Sequence, residues 1–404
     1  MKTTIAFLAG GILLLSACQN NPSSTESTAT SAPNFDSLTI ALQEQADLET
    51  VPGFGVAIVN AEGTLYKGGF GYADIAEQKP YTTQSLQNIG SISKTFIGIS
   101  LQQAVDRGLL DWDTPINDIL PFDVVHPKYA DQPILISHLA SHTAGINDGD
   151  DYDFAYSLTE PNTYIGTDLD PEDVAEFETY AQNPAYELGD FCQSFLSENG
   201  HLYKEDHFLP TAPGEQYEYS NVGAALAAHV LEVATGISFP QWTQKYILDP
   251  LKMGNSGWSF SDVNMDQHAQ LYYERSLPIP RYTLATYPDG GFITCIEDLS
   301  KYLSAMIANY GTEENQLVSA GGLENIMTPR HNDSEGVDYG YFWEIRDTGY
   351  IGHSGGDPGI ITLMYFQPEY KSGFIIFFNG YPSDDGQGIG EIIDLLTERV
   401  ADLH

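Results

Sequence analysis

A serine and a lysine stand three positions apart in the segment Gln87–Gly108, which reads QNIGSISKTFIGISLQQAVDRG. Apolar residues recur there at helical spacing, so Ser91 is expected in the first turn of a buried helix, with Lys94 on the same face one turn later. A lysine in an apolar first turn is unusual, because its charge opposes the helix dipole. A hydroxyl beside an ammonium group is suited to nucleophilic attack on an acyl carbon. The pattern S-x-x-K is also common by chance, with the lysine at the surface, so it assigns no chemistry alone.

A second serine lies in a pattern typical of other hydrolases. Residues 352–356 read G-H-S-G-G and match G-x-S-x-G, the nucleophile elbow of α/β-hydrolases. That fold requires an acidic residue and then a histidine after the serine. The histidine that follows Ser354 is the terminal His404, and too little chain remains to complete the fold. We therefore interpret the match as a coincidence, and the segment as part of a strand beside the site.

Four other segments accompany the serine and lysine. Residues 219–221 read Tyr-Ser-Asn before an apolar helix, and residues 353–355 read His-Ser-Gly ahead of the C-terminal strands. The segments LISHLASHTAGI at 135–146 and YPDGGFITCIEDLSKYLSAM at 287–306 complete the set. Together these segments resemble the serine β-lactamase-like family, which includes class C β-lactamases, D-Ala-D-Ala carboxypeptidases, related esterases and D-peptidases. The resemblance covers about residues 35–403.

The resemblance implies catalytic roles for particular side chains. Ser91 would be the nucleophile. Tyr219 would be the general base if the ammonium group of Lys94 lowers its pKa, and the alternative is a neutral Lys94 as the base. Asn221 would hold the substrate amide and orient Lys94.

The resemblance also implies a binding strand and an oxyanion hole. The backbone N–H groups of Ser91 and Gly356 would stabilise the oxyanion. His353, Ser354 and Gly355 would line the cleft, where the glycines allow a substrate backbone to pair with the strand. No cofactor and no metal is implied.

Two patterns that suggest metal ligands are weak. The acidic run DGDDYD at 148–153 lacks the glycine and glutamate positions of an EF-hand loop. His138 and His142 are four residues apart, but no glutamate follows His138 as H-E-x-x-H requires. The acidic stretch 148–210 is instead expected to shape one wall of the cleft.

One position departs from the β-lactamase pattern. True β-lactamases of this resemblance carry a lysine where this chain has His353, which has a usual pKa of about 6.5. We expect slow acylation by penicillin, and carboxylate-bearing substrates should gain rate as the pH falls through that value. The leading function is hydrolysis of D-amino-acid peptides or related amides through an acyl-serine. The alternatives are a small-ester esterase and a non-catalytic penicillin-binding or scaffold protein.

The apolar patterns predict a mixed α/β fold of the α+β type. Helices are expected at about 35–48 and 388–402, and strands at 54–60, 64–72, 359–366 and 373–379. They form an antiparallel sheet flanked by the N- and C-terminal helices, as in the β-lactamase/transpeptidase fold. The predicted α/β part spans about 35–110 and 285–404, and a mostly helical part spans about 111–284.

The N-terminal residues predict export. Lys2 precedes an apolar run that ends in Leu-Ser-Ala-Cys at 15–18, which resembles the lipobox of bacterial lipoproteins. Cys18 would then be lipidated, residues 1–18 would be the signal peptide, and 19–34 would be a flexible tether. An ordinary secretory signal with a chance cysteine is the alternative. The expected location is the bacterial cell envelope, at the outer membrane facing the periplasm, where Cys192 and Cys295 could pair or stay free.

The charge balance limits the partners. The 404 residues include 16 Lys and Arg against 56 Asp and Glu, which gives a formal net charge of −40. Such a surface repels phosphate backbones, so nucleic-acid binding is excluded. The expected partners are a small-molecule or peptide substrate and, through Cys18, a membrane, while the oligomeric state stays open.

The same charge predicts a response to salt. Raising the ionic strength from 0.01 M to 0.1 M shortens the Debye length from about 30 Å to about 10 Å and screens self-repulsion. The melting temperature, followed by circular dichroism, should rise over this range. A flat or falling melting temperature would show that bound cations already neutralise the acidic residues.

Overall fold

The computed structural model describes residues 33–160, 171–273, 277–312, 317–333, 336–383 and 386–404. The predicted signal peptide with Cys18 and most of the predicted tether lie outside the described residues. So do ten residues of the acidic stretch, 161–170.

A nine-stranded sheet forms the centre of the α/β part, and its strand pairs are antiparallel. Its order is β3-β2-β1-β13-β12-β11-β10-β9-β8, so strands from both ends of the chain lie side by side. Two small two-stranded sheets pair β4 with β7 and β5 with β6. The strands are β1 Gly53–Asn60, β2 Gly63–Asp74, β3 Lys79–Pro80, β4 Gln87–Asn88, β5 Tyr156–Leu158, β6 Tyr282–Leu284, β7 Ile293–Thr294, β8 His331–Asn332, β9 Asp338–Tyr339, β10 Glu344–Ile345, β11 Ile351–Asp357, β12 Ile360–Gln367 and β13 Ser372–Phe378.

Both faces of the central sheet are buried. Along β1, Val56 and Ile58 belong to one apolar cluster, and Ala57 and Val59 to another. Successive side chains of a strand point to opposite faces. A strand covered on both faces therefore reads as a continuous apolar run, which explains the sequence FGVAIVN.

Helices cover the two faces and fill the middle of the chain. The first and last helices pack on one face beside each other, and α9 packs on the other. Helix α2 of the α/β part and helix α6 of the helical part lie against one another next to the site. The helices are α1 Asp36–Asp47, α2 Lys94–Asp106, α3 Ile136–Ala140, α4 Pro171–Gln182, α5 Leu188–Leu196, α6 Asn221–Thr235, α7 Phe239–Thr243, α8 Asp249–Leu251, α9 Ile296–Asn309, α10 Gly322–Ile326 and α11 Gln387–Asp402.

The predicted fold class, an antiparallel sheet flanked by the two terminal helices, is confirmed. Both cysteines in the described residues, Cys192 and Cys295, are buried free thiols. Within the described ranges, no single helix is long and apolar enough to cross a membrane, although the bent pair 221–235 and 239–251 reaches the required length and composition together.

Candidate active site

The side chain of Lys94 is the centre of the candidate site. A single 3-10 turn, Gly90–Ser93, leads into α2, so Ser91 and Lys94 face the same way. The Nζ atom of Lys94 lies 3.0 Å from Ser91 Oγ, 2.7 Å from Asn221 Oδ1 and 2.8 Å from the main-chain oxygen of Asp289. Lys94 has no exposed surface, and its burial lowers the pKa of its amine, an effect that nearby carboxylates partly oppose.

Asn221 is held at the N-terminus of α6 by a carboxylate. Ser220 caps this helix, with its Oγ accepting from Gly223 N–H at 2.8 Å and donating to Asp148 Oδ1 at 2.6 Å. Asp148 also accepts from the N–H groups of Asn221, at 2.5 Å, and Val222, at 3.2 Å. A carboxylate at this helix end satisfies free N–H groups and complements the helix dipole. The Asn221 backbone is thereby held at a fixed place, from which its side-chain oxygen reaches Lys94.

Tyr219 lies across Lys94, whose Nζ is 5.0 Å from the centre of the tyrosine ring. The ring also stacks on His142, with 4.5 Å between ring centres. Burial raises the pKa of Tyr219 well above its usual value of 10.0, and a hydrogen bond with Ser91 opposes this only in part. The assignment of Tyr219 as the general base requires a lowered pKa. The pKa is instead raised in this structure, which disfavours that assignment.

Strand β11 closely approaches the turn that carries Ser91. Gly90 has a φ of +54°, and a Cβ atom there would lie 2.7 Å from Gly356 N. A Cβ atom on Gly355 would lie 2.2 Å from the carbonyl oxygen of Ile89. Only residues without a side chain allow this approach. It brings the backbone of Gly356 beside the turn of Ser91, where the resemblance places an oxyanion hole.

His353 is part of β11, and its buried side chain has a defined tautomer. Its Nδ1 lies 2.5 Å from the carbonyl oxygen of Ser354. A carbonyl oxygen can only accept, so Nδ1 carries the proton and the neutral ring leaves a lone pair on Nε2. Burial lowers the pKa of His353, although Glu344 opposes this shift. The ring is thus neutral at pH 7, and its N–H is not free to bind a substrate carboxylate.

Ser354 has a structural partner. Its Oγ donates to Glu344 Oε1 at 2.8 Å, and it lies inside a strand rather than at a strand-to-helix turn. Glu344 Oε2 in turn accepts from Arg346 at 2.6 Å and from the hydroxyl of Tyr365. This geometry differs from a nucleophile elbow, which agrees with the sequence interpretation.

Two further buried carboxyl groups lie near Lys94. Asp289 accepts from the hydroxyl of Tyr152 at 2.9 and 3.0 Å, and Asp357 accepts from that of Tyr156 at 2.5 Å. Burial raises the pKa of Asp289 to about 8 and that of Asp357 to about 7. Both tyrosines come from the start of the acidic stretch, so its first residues contact carboxyl groups that act on Lys94.

The structure thus brings the predicted Ser91, Lys94, Tyr219 and Asn221 together, with His353 to Gly356 alongside. His142, Asp148, Asp289, Glu344 and Asp357 were not predicted as site residues. His142 and Asp289 lie in the family-like segments SHTAG and YPDGG, which was the available signal.

The pair of histidines four residues apart does not form a metal site. Helix α3 ends at Ala140, so His138 and His142 are not on one helix face, and His142 Nδ1 accepts from the Ser220 N–H. In the described part of the chain, no group of three or more His, Cys, Asp or Glu residues is arranged to hold a metal ion.

Comparison with known proteins identifies the class. The beta-lactamase family model matches residues 41–397, which is most of the chain. The protein therefore belongs to the beta-lactamase family, whose members include serine hydrolases and penicillin-binding proteins.

Individual relatives are distant. The chain is 24% identical over 349 residues to penicillin-binding protein 4* of Bacillus subtilis (strain 168), covering 81% of this chain and 68% of that protein. It is 24% identical over 299 residues to a beta-lactamase of Escherichia coli (strain K12), covering 74% and 67%. The structure of an octameric penicillin-binding protein homologue from Pyrococcus abyssi superposes with a TM-score of 0.72 at 24% identity, covering 91% of this chain and 78% of that one. At this identity the likeness between structures shows the fold alone.

From the contacts of Glu344 with its charged and hydroxyl partners, we predict that the protein loses stability in acid. Burial alone would raise the pKa of Glu344, but His353, whose ring is charged only once it is protonated in acid, together with Arg346 and two hydroxyl donors, lowers it from its usual 4.5 to about 2. The stabilisation is complete above about pH 4.5 and is lost as the pH falls towards 2. Glu344→Gln should lower the free energy of unfolding by about 2 to 4 kcal/mol at pH 7, and by much less at pH 3.

Urea unfolding of wild type and variant at pH 7, 5, 4 and 3 measures this difference. Glu62→Gln, at an exposed turn position, is the control and should change little at any pH. A difference for Glu344→Gln that stays constant from pH 7 to 3 would contradict the assignment.

Proposed function

We propose that the protein is a serine hydrolase that forms an acyl intermediate on Ser91. The observation that carries this proposal is the hydrogen bonding of Lys94. Two of its three partners, Asn221 Oδ1 and the Asp289 carbonyl, can only accept, so they require two N–H groups of the amine. Nζ also donates its third hydrogen bond to Ser91 Oγ, at 3.0 Å, and in its neutral form the amine would turn a lone pair toward this oxygen and accept the hydroxyl proton.

The first proton transfer is assigned to Lys94 on this basis. The Ser91 hydroxyl proton passes to Nζ as Oγ attacks the acyl carbon, and the amine becomes a fully hydrogen-bonded ammonium group. Burial lowers the pKa of Lys94 and raises that of Tyr219, and both shifts favour lysine over tyrosine as the acceptor. Tyr219 then passes its hydroxyl proton to the departing nitrogen or oxygen, and Lys94 replaces it with the proton taken from Ser91.

The surrounding backbone supplies the other requirements of acyl transfer. The N–H groups of Ser91 and Gly356 are proposed to bind the developing oxyanion. Strand β10 pairs with β11 only at Ile351 and Gly352, so within the described strands the following residues pair on one side alone. The Ser354 N–H already donates to Glu344 Oε1 at 3.2 Å, so an extended substrate backbone is proposed to pair with the open edge of β11 beyond Ser354.

The proposed substrates are D-amino-acid peptides or related amides of the cell-wall type. Penicillin-binding proteins among the relatives and the open edge of β11 support this class. The carboxyl groups of the site disfavour substrates that add a carboxylate there, because Glu344 is ionised at pH 7, although Asp289, with a pKa of about 8, is largely uncharged. Four carboxyl groups act on Lys94, and Arg346 is already paired with Glu344 (the four are Asp148, Asp289, Asp357 and Glu344).

Small esters are the second candidate class. The neutral His353 supports it, because a site without a positive charge at this position does not select for a carboxylate. A panel of D-amino-acid amides and esters, with and without a free carboxylate, distinguishes the two classes by kcat/KM.

Covalent labelling tests the enzyme proposal itself. A fluorophosphonate probe should attach to the peptide that contains Ser91, as located by mass spectrometry, and Ser91→Ala should abolish labelling. Lys94→Ala and Tyr219→Phe should each lower turnover by about 100-fold or more, without additivity, because they serve one proton-transfer unit.

Ser354→Ala is the matched control and should keep its label. A label that is lost in Ser354→Ala and kept in Ser91→Ala would reverse the assignment. A wild-type protein that takes no label would favour the non-catalytic penicillin-binding or scaffold alternative.

The tautomer of His353 generates a separate prediction about penicillins. His353→Lys should raise the rate of acylation by penicillin at pH 7 by roughly five- to tenfold, because a charged donor binds a carboxylate more strongly than a neutral ring. Burial lowers the pKa of His353, so the wild-type gain with carboxylate substrates should occur below the pH of 6.5 expected from the sequence.

Stopped-flow acylation of wild type, His353→Lys and the neutral control His353→Gln provides the measurement. A neutral ester should react at the same rate, within about twofold, with wild type and His353→Lys. An equal gain for ester and penicillin in His353→Lys would rule out recognition by charge.

A further inference from the structure

We propose that His142 is a positioning residue that fixes Tyr219 for proton transfer, an inference that rests on the proposed function of Ser91. Three contacts join His142 to the Tyr219 segment. The N–H of Glu218 donates to the His142 carbonyl oxygen at 2.8 Å, and the N–H of Ser220 donates to His142 Nδ1 at 3.2 Å. The His142 ring stacks on the ring between them, that of Tyr219, at 4.5 Å and 26°.

These contacts hold the tyrosine from three directions. Both neighbours of Tyr219 donate their backbone N–H to the same histidine, one to its main chain and one to its ring. Stacking restricts the rotation of the Tyr219 ring, so the imidazole plane of His142 sets the direction in which the tyrosine hydroxyl points. A displacement of about 1 Å in such a group can cost about 100-fold in rate.

The backbone of His142 has the conformation that this arrangement requires. Its φ is +55°, in the left-handed region that histidine, like asparagine and aspartate, adopts more often than most residues other than glycine. The turn is held by hydrogen bonds from His142 N–H to Leu139 and from Thr143 N–H to His138. Phe342 packs edge-on against the other side of the ring. The surrounding contacts therefore hold His142 in this conformation.

The tautomer of His142 separates positioning from direct proton transfer. Because Nδ1 accepts from a backbone N–H, the ring proton is on Nε2, the opposite of His353. His142 Nε2 is buried without a hydrogen-bond partner in the described part of the chain. Burial also lowers the pKa of His142 well below 6.5, so the ring stays neutral beside Lys94. His142 therefore acts through Tyr219 and not on Ser91.

Two substitutions separate the contacts. His142→Phe keeps a ring for stacking and loses the acceptor for the Ser220 N–H. His142→Asn keeps a short acceptor and tolerates a positive φ, but loses the stacking. The matched control is His268→Phe. His268 is also buried with an unpartnered Nε2, and its Nδ1 bonds to the Ala269 carbonyl.

Inactivation of Ser91 by a fluorophosphonate measures the effect without a known substrate. The maximal rate of inactivation should fall about 10- to 100-fold in His142→Phe, while the probe concentration for half-maximal rate changes less than threefold. His142→Asn should show a smaller fall, as a partial rescue. His268→Phe should keep the wild-type rate even if its melting temperature is lower.

Each outcome decides the proposal. Wild-type maximal rates in both His142 variants, with a lowered melting temperature, would show a purely structural role and overturn the inference alone. If His142→Phe does not fold, His142→Asn decides the question by its maximal rate. No labelling of Ser91 in the wild type would overturn the proposed function, and this inference with it.

Discussion

The burial of the Lys94 amine among three oxygen atoms is the interaction around which the site is organised. A lysine removed from water must have its hydrogen-bonding groups satisfied or lose its charge. The three oxygens come from the turn before α2, the first residue of α6 and the loop ahead of β7. The two parts of the chain must therefore close on each other before the amine is satisfied. The same amine therefore holds the two parts of the chain together and lies beside the candidate nucleophile.

The N-terminus of α6 and the glycines of β11 serve this interaction in different ways. Asp148 and Ser220 fix the backbone of the helix end by hydrogen bonds, and the side-chain amide of Asn221 extends from it to Lys94. Gly90 and Gly355 contribute by having no side chain, which lets two backbone segments approach each other closely. A helix end held by hydrogen bonds on one side and a closely approaching backbone on the other place the groups around Ser91 in advance, as acyl transfer requires.

The sequence predicted the four long strands β1, β2, β12 and β13 from their apolar runs, which are local signals. The four main site residues came from the resemblance of several motifs to one family, because the position of Lys94 alone assigns no chemistry. The sequence did not predict the partners that distant segments supply. Asp148 looked like part of a poor calcium loop, whereas its role depends on a helix that begins at Asn221. The state of His353 depends on which nitrogen meets the carbonyl of Ser354, a matter of one rotamer that no spacing rule encodes. Pairings such as Tyr152 with Asp289 join loops whose approach only the folded chain defines.

The pairing of β1 with β13 has a consequence for how the chain folds. Phe54 faces Phe378 across the middle of the sheet, so two strands near opposite ends of the domain must meet. Contacts between such distant residues close a very large loop, which slows folding. During synthesis, β1 can pair with β2 at once, but its other edge has no partner until β13 has left the ribosome. Such a delay would suit the exported precursor that the N-terminal residues predict, since a chain that stays unfolded can still be threaded across a membrane.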